Sequence, residues 1–126
     1  MSVLVVAEIG INANGSVDLA RQLIHVAAKA GADYVKFQKR TIEHCYTSLE
    51  LSKIRETPFG STNGDLKRAL EFSPAEYDQI DTACHDEGIR WTASAWDEPS
   101  IQFLSYYKPD FLKIPSALIT IKPRKT

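Results

Sequence analysis

Polar and ionisable side chains recur at the ends of segments that otherwise predict buried strands. They are Glu8, Lys36 with Gln38, Thr92 with Ser94, and Lys113 followed by Ser116. Because strands alternate their side chains between two faces, Lys36 and Gln38 share the face that is opposite to Phe37. The carboxyl ends of parallel strands meet at one edge, where α/β proteins bind ligands. Lysines and hydroxyls at such an edge predict a phosphate or carboxylate site, because they offset the desolvation of an anion.

Each of these residues also has a plainer interpretation. A lysine in a strand often places its charge in water, either because the strand lies at the edge of a sheet or because the aliphatic stem extends past the core. For Lys36 or Lys113 taken singly, this interpretation is as good as an anion site. Glu8 among cations would stay ionised, so it fits a structural ion pair as well as an acid or base. Trp91 and Trp96 are better explained by packing in the core or in a barrel wall than by a stacking platform.

Other chemistries lack the residues that they need. The sequence contains neither GxxxxGK[ST] nor GxGxxG, so neither of the usual phosphate loops for nucleotides applies. His25, His44 and His85 fall in two predicted helices and a long connection, and we expect no metal site among them. Cys45 and Cys84 lack CxxC or metal-type spacing, which predicts two free thiols.

Charge and hydropathy narrow the partners and the compartment. The 126 residues carry 15 basic and 16 acidic side chains, and the net charge of −1 provides no global field for nucleic acid or an anionic membrane. The longest apolar run lies near residues 3–7, far short of the ~20 residues that cross a bilayer. Without a basic leader or an apolar signal core after Met1, we expect a soluble, cytoplasmic protein.

Alternating strands and helices are predicted to position these groups. The predicted strands cover residues 3–9, 33–38, 89–95 and 110–114, and the predicted helices cover residues 17–30, 74–87 and 100–106. Ser16 is a suitable N-cap for the first helix, and Gly31 closes it. Ser73 and Glu76 predict a capping box for the second helix, which ends at Gly88.

The order of these elements, β-α-β-α-β-α-β, predicts a single α/β domain with a parallel sheet. A long, charged connection over residues 39–72 separates the second strand from the second helix, and connections of that length are commonly functional. After Ser116 the helical periodicity is lost and the sequence ends in a basic run, where a helix covering the fourth strand would be expected. The chain is therefore expected to stop in the middle of its pattern.

Four segments resemble a known family in their order and spacing, over nearly the whole chain up to about residue 120. They are AEIGINANG at 7–15, AGADYVKFQKRT at 30–41, EFSPAEYDQI with GIRWTASAWD between 71 and 97, and KIPSA at 113–117. The family is that of the N-acetylneuraminate (sialic acid) synthases, with relatives that make other nonulosonic acids and enzymes of spore coat polysaccharide synthesis. The resemblance implies that residues 1–126 form a partial barrel domain, about half of a TIM-type (β/α)8 barrel that needs ~250 residues.

The resemblance also implies a reaction and a set of site residues. Phosphoenolpyruvate would condense with the open-chain aldehyde of an N-acylated hexosamine, such as N-acetylmannosamine, to give N-acetylneuraminate and phosphate. Glu8 and Lys36 would be catalytic, with Glu8 facing the reacting centre. Asn12 and the segment around Thr62 would shape the substrate pocket. The residues implied for phosphoenolpyruvate binding are Lys36, Gln38, Ser94, Lys113 and Ser116.

A divalent metal, manganese or magnesium, is expected for the family, where it polarises the aldehyde as a Lewis acid. Its histidine ligands lie on later strands of the family's barrel and, like the antifreeze-like C-terminal domain, have no counterpart in this sequence. Two smaller departures are Ala13, where many members have histidine, and Leu118, where some members have a glutamate.

A half barrel carries expectations about partners and activity. An open half sheet exposes apolar edges, so we expect a homo-oligomer or a complementing partner half. The first hypothesis is an enzyme or enzyme fragment of nonulosonic acid synthesis whose turnover is incomplete. The alternative is a catalytically silent anion-binding or interaction module derived from the same family.

Overall fold

The computed structural model describes residues 2–120. Its strands are β1 (Val6–Glu8), β2 (Tyr34–Lys39), β3 (Ile54–Thr57), β4 (Gly60–Thr62) and β5 (Arg90–Ala95). Its helices are α1 (Val17–Lys29), α2 (Ile42–Cys45), α3 (Ser48–Ser52), α4 (Asn63–Leu70), α5 (Pro74–Glu87) and α6 (Glu98–Ser105). Strands β1, β2 and β5 form one sheet in that order, and β3 and β4 form a separate antiparallel hairpin.

The three-stranded sheet is parallel throughout and has β2 at its centre. Its register places Lys36 between Glu8 of β1 and Thr92 of β5, and it places Gln38 beside Ser94. The predicted α/β class with parallel strands is confirmed. Because all three strands run the same way, their polar carboxyl ends lie at one edge.

The predicted fourth strand over residues 110–114 is wrong in its extent. A single parallel bridge joins Lys113 to Ser94, through backbone hydrogen bonds of 3.1 and 3.2 Å made by the N–H and carbonyl of Lys113. Within residues 110–114 only Lys113 pairs with β5, and the Phe111 carbonyl accepts a hydrogen bond from the Thr92 side chain. Pairing therefore remains local to Lys113.

Helices α1 and α5 pack side by side on one face of the sheet. Arg21 of α1 donates to the Gln79 side chain of α5 at 2.8 Å, and His25 Nδ1 lies 2.8 Å from the Glu87 carboxylate. The largest fully buried side chains of the core between helices and sheet are Tyr77, Phe37, Ile24, Ile80 and Leu104. Trp91 stacks on Tyr77 with ring centroids 5.7 Å apart, which confirms its predicted place in the core.

Local capping signals decide where the main helices begin and end. Ser16 accepts a hydrogen bond from the Leu19 N–H at 3.2 Å and starts α1. Ser73 and Glu76 form the predicted capping box of α5. Gly88 ends that helix with a φ of 68°, a left-handed conformation that glycine adopts without strain. Both predicted helices are confirmed.

The connection between β2 and α5 is more ordered than its sequence predicted. Residues 41–70, which we call the insertion, contain α2, α3, the β3–β4 hairpin and α4. Capping boxes start α3 at Thr47 and α4 at Thr62, and an acidic residue three positions later completes each box. Each of these elements is too short to show a helix or strand period, and the prediction missed them for that reason.

None of the helices between residues 2 and 120 combines the length and apolar character that crossing a bilayer needs. The longest of them, α5, has 14 residues. The basic run predicted to end the chain, at residues 121–126, lies outside the described residues.

Candidate functional site

The candidate site lies at the carboxyl edge of the sheet and centres on Lys36. The Lys36 side chain is only 12% exposed, and its ammonium donates a hydrogen bond to the Ser94 hydroxyl at 2.8 Å. The nearest carboxylate oxygen of Glu8 lies 3.6 Å from the same nitrogen. Because β2 is the central strand, the interpretation of Lys36 as an edge charge is wrong. An ammonium has three donors, so this largely buried group can still bind an anion.

Glu8 is the acidic partner of Lys36 at this edge. Its side chain is 67% exposed, so water screens the ion pair. Its backbone carbonyl accepts a hydrogen bond of 3.4 Å from the side chain of Asn12, which lies in the 3-10 turn Gly10–Ala13 after β1. Glu8 therefore lies in a partly exposed ion pair with Lys36, and a part for its carboxylate as an acid or base stays a prediction.

Gln38 and Ser94 stand beside each other in register on the face of Lys36. The backbone carbonyl of Gln38 accepts a hydrogen bond of 2.8 Å from the buried hydroxyl of Tyr77, and this bond connects β2 to α5. Ser94 is 4% exposed. Thr92, two residues earlier on the same strand, donates its hydroxyl to the Phe111 carbonyl, so it supports the backbone of the following segment.

Lys113 and Ser116 reach the same edge from the segment after α6. The bridge to Ser94 holds the Lys113 backbone beside β5, and Ser116 begins the 3-10 turn Ser116–Leu118. Both side chains are exposed, in contrast to Lys36. Among residues 2–120, no hydrogen bond joins either side chain to the Lys36–Ser94 contact. At this edge, the side chains of Lys36 and Ser94 are largely buried and bonded to each other, whereas those of Lys113 and Ser116 are exposed to solvent.

Thr62 has a structural use at the start of α4. Its hydroxyl accepts a hydrogen bond of 3.1 Å from the Asp65 N–H, and the Asp65 carboxylate accepts one of 3.2 Å from the Thr62 N–H. The hydrogen bonds from Thr62 lower the pKa of Asp65. A part for Thr62 in a substrate pocket stays a prediction.

The structure contains a buried ion pair beside the site that the sequence did not predict. Arg40, the residue after β2, donates from Nε to Glu71 at 2.9 Å, and the two side chains are 8% and 11% exposed. Burial raises the pKa of Glu71, and the hydrogen bonds from Arg40 oppose that rise. The partners are 31 positions apart, so no local spacing reveals them. The only local signal was an arginine placed directly after a buried strand.

Asp97, the N-cap residue of α6, is a second residue that the sequence patterns did not single out. It accepts hydrogen bonds from the Thr41 N–H at 2.6 Å, from the Thr41 hydroxyl at 3.0 Å and from the Ser100 N–H at 2.8 Å. Burial raises the pKa of Asp97, but these hydrogen bonds outweigh burial and bring it below its ordinary value of 3.8. Asp97 thereby ties the ends of β2 and β5 together and caps α6.

Metal and thiol chemistry find little support in the part of the chain that the structure describes. Residues 2–120 contain no group of three or more His, Cys, Asp or Glu side chains that could hold a metal ion. Cys45 and Cys84 are free thiols, as predicted, and burial raises the pKa of each to about 12. Such thiols stay protonated at neutral pH and are poor nucleophiles. A hollow of about 370 Å³ beside Arg90 and Lys108 lies at the amino end of β5, away from the Lys36 edge.

Comparisons with known proteins agree on one kind of relative. Residues 23–124 match the model of the NeuB family. The chain is 41% identical over 117 residues to an N-acetylneuraminate-9-phosphate synthase of Drosophila melanogaster, a match that covers 91% of this chain and 32% of that protein. It is 34% identical over 131 residues to an N,N'-diacetyllegionaminic acid synthase of Legionella pneumophila, covering 98% of this chain and 35% of that protein.

A solved structure is similar along nearly the whole chain. The crystal structure of an N-acetylneuraminic acid (sialic acid) synthetase from Leptospira borgpetersenii, in complex with citrate, matches with a TM-score of 0.75 and 26% sequence identity. The match covers 94% of this chain and 38% of that one. The chain therefore spans about a third of the length of the relatives that it matches.

Proposed function

This chain belongs to the NeuB family, and on that premise we propose that it carries the phosphoenolpyruvate side of a nonulosonic acid synthase site. The proposed reaction condenses phosphoenolpyruvate with the aldehyde of an N-acylated hexosamine, such as N-acetylmannosamine. It would give N-acetylneuraminate or a related acid and release phosphate. The choice of reaction is supported by the relatives, which are sialic and legionaminic acid synthases.

The proposed architecture for residues 1–126 is about half of a TIM-type (β/α)8 barrel. It is supported by the sequential order of three parallel strands and by Lys113, which pairs where a fourth strand would lie. A whole barrel of this type takes ~250 residues. Val3, Leu4 and Val5 leave an exposed apolar edge before β1. Further strands of the same barrel, or a second copy of this chain, would cover that edge.

The observation that carries the proposal is the hydrogen bond between Lys36 and Ser94, at the edge where α/β barrels bind their substrates. The ammonium and hydroxyl would bind the phosphate or the carboxylate of phosphoenolpyruvate, with Gln38 beside them. Lys113 and Ser116, which are exposed, would bind the remaining oxygens. Two lysines against one acidic side chain favour a multiply charged anion at this edge.

Glu8 would face the reacting centre, because its exposed carboxylate lies 3.6 Å from the Lys36 ammonium. Asn12, bonded to the Glu8 carbonyl, and Thr62 are proposed to shape the sugar pocket. The family's metal, manganese or magnesium, would polarise the aldehyde when bound. Residues 2–120 contain no group of three or more His, Cys, Asp or Glu side chains that could hold it.

The Lys36–Ser94 contact also fits a second candidate, a catalytically silent anion-binding module, because these groups can bind an anion without any turnover. A phosphate-release assay with phosphoenolpyruvate, N-acetylmannosamine and manganese separates the two candidates when calorimetry with phosphoenolpyruvate is run beside it. We expect binding without full turnover by this chain alone. Phosphate release by the chain alone would establish a working enzyme and contradict the expectation of incomplete turnover. A chain that binds no phosphoenolpyruvate would contradict both candidates.

A further inference from the structure

The residues of the buried ion pair, Arg40 and Glu71, directly flank the insertion on either side. Arg40 directly follows β2 and Glu71 directly follows α4, so the pair joins the two ends of residues 41–70. Glu71 Oε1 accepts from Arg40 Nε at 2.9 Å, and Glu71 Oε2 accepts from the Arg40 backbone N–H at 3.2 Å. Both oxygens of the Glu71 carboxyl therefore accept from the same residue, which gives the ion pair two points of contact.

Further contacts connect the pair to the sheet and to the insertion. The second nitrogen of the Arg40 guanidinium donates to the Tyr46 hydroxyl at 3.1 Å, and the guanidinium carbon lies 5.6 Å from the ring centroid of Trp96, the residue after β5. The next residue, Thr41, donates twice to Asp97. The ends of β2 and β5 and the start of the insertion therefore meet at Arg40.

The far end of the insertion contacts the loop after β1. Gly15, with a φ of 72°, lies so close to the end of α4 that a side chain there would overlap the backbone carbonyl of Ala69. The same loop carries Asn12, which donates to the Glu8 carbonyl. A displaced insertion would therefore disturb the Glu8 side of the edge as well as the end of the strand that carries Lys36.

Stability alone is a poor explanation for an ion pair at this place. Removing two charges from water is costly, and apolar residues of similar volume often replace a buried pair without loss of stability. A two-point contact between a carboxylate and an arginine, however, fixes direction as well as distance. It suits a position where the orientation of two chain segments must be held.

We propose that Arg40 and Glu71 are positioning residues that hold the insertion against the carboxyl edge, so that Lys36 and Glu8 keep the geometry needed to bind an anion. The identity of that anion rests on the proposed function. The pair itself is assigned no contact with the substrate. Its contribution is to the order of the insertion and to affinity for the ligand.

The test replaces both residues by apolar ones of similar volume, Arg40→Met with Glu71→Leu, in the full chain. The thermal midpoint should equal or exceed that of the wild type. Trypsin should nevertheless cleave the exposed hairpin sites at Lys53 and Arg55 about tenfold faster, and affinity for phosphoenolpyruvate should fall by about tenfold, because supporting groups set the precision of a site. A pair that only stabilises the fold would instead lower the midpoint and leave the affinity of the folded protein unchanged.

The matched control is Arg68→Met with Glu43→Leu, which removes an exposed ion pair within the insertion. The Nε atom of Arg68 and the Oε1 atom of Glu43 lie 3.4 Å apart in that pair. Neither cleavage nor affinity should change in that control. A folded double variant of Arg40 and Glu71 with wild-type cleavage and wild-type affinity would overturn the proposal. If that variant does not fold, Glu71→Gln, which keeps the shape and one acceptor, is judged by the same two measurements. Cleavage needs no ligand, so it tests whether the pair orders the insertion even if the wild-type chain binds no phosphoenolpyruvate. A failure of the wild type to bind phosphoenolpyruvate would contradict only the proposed function.

Discussion

The ammonium of Lys36 and the hydroxyl of Ser94 share a hydrogen bond of 2.8 Å between the neighbouring strands β2 and β5. The two residues are 58 positions apart in the sequence. The Lys36 side chain is 12% exposed and Ser94 is 4% exposed, so the contact is largely shielded from water. The proposed anion site depends on this contact.

Replacing Ser94 by alanine removes the group that orients the Lys36 ammonium. We expect affinity for phosphoenolpyruvate to fall about tenfold, because a hydrogen bond to a charged group contributes ~1.5 kcal/mol. Calorimetry measures the change. Ser105→Ala is the control, since the Ser105 hydroxyl donates to the Ile101 carbonyl within α6, away from Lys36. Equal affinity of the Ser94 variant and the wild type would show that the hydroxyl does not orient the Lys36 ammonium for the ligand.

Replacing Glu8 by glutamine tests whether its carboxylate orients Lys36 for the ligand or only repels a bound anion. The amide removes a negative charge that lies 3.6 Å from the Lys36 ammonium and would face a bound anion. We expect phosphoenolpyruvate to bind as tightly as before or up to about threefold more tightly, an effect that weakens at high salt. Titrations at low and high salt measure both. A loss of affinity would show instead that the carboxylate serves to orient Lys36 for the ligand.

Asp97 is expected to make a pH-dependent contribution to stability. Burial raises its pKa, but hydrogen bonds from Thr41 and Ser100 outweigh burial, so the folded-state pKa lies below 3.8. The carboxylate therefore stabilises the fold above that ordinary value, and the contribution is lost as the pH falls through the lower folded-state pKa. Asp97→Ala should reduce the free energy of unfolding in urea by about 1–2 kcal/mol at pH 7 and by less at pH 3.

The neighbouring exposed acid provides the control for this measurement. Glu98→Ala removes a carboxylate from the first turn of the same helix without breaking the contacts to Thr41, and it should cost less at both pH values. An Asp97 variant whose deficit is the same at pH 7 and pH 3 would show that the lowered pKa does not contribute.

The proposed half barrel leads to a prediction about assembly. In the proposed half barrel, a partner would cover the exposed residues Val3, Leu4 and Val5 and the edge of β1 that no other strand within residues 2–120 pairs with. A second copy is the partner available to the isolated chain. Size-exclusion chromatography with light scattering should therefore show a dimer or a larger species. A monodisperse monomer that melts cooperatively would contradict the need for a partner.

Features with local causes could be predicted from the sequence. Helix α5 begins after Ser73 and ends at Gly88 as its capping signals indicated, because a cap depends on residues within one turn. Alternation along β2 and β5 placed Lys36 and Ser94 on one face, and the parallel register then brought them together. The central contact of the site was predictable for this reason.

Features that depend on distant partners or very short elements could not be predicted. The insertion is built from helices of four to eight residues and a hairpin, too short for a period to be recognised. The Arg40–Glu71 pair exists only because residues 31 positions apart fold together. Residues 110–114 were suited to a strand, but only Lys113 pairs, since pairing depends on how this segment meets the distant strand β5.

The most direct test of the account is calorimetry of phosphoenolpyruvate with the wild-type chain and with Lys36→Ala. The account predicts saturable binding by the wild type and a loss of at least tenfold in the variant, since a charged hydrogen bond contributes about 1.5–3 kcal/mol. Lys29→Ala, at an exposed lysine in the last turn of α1, should bind like the wild type. No binding by the wild type, or equal binding by Lys36→Ala, would contradict the proposed anion site.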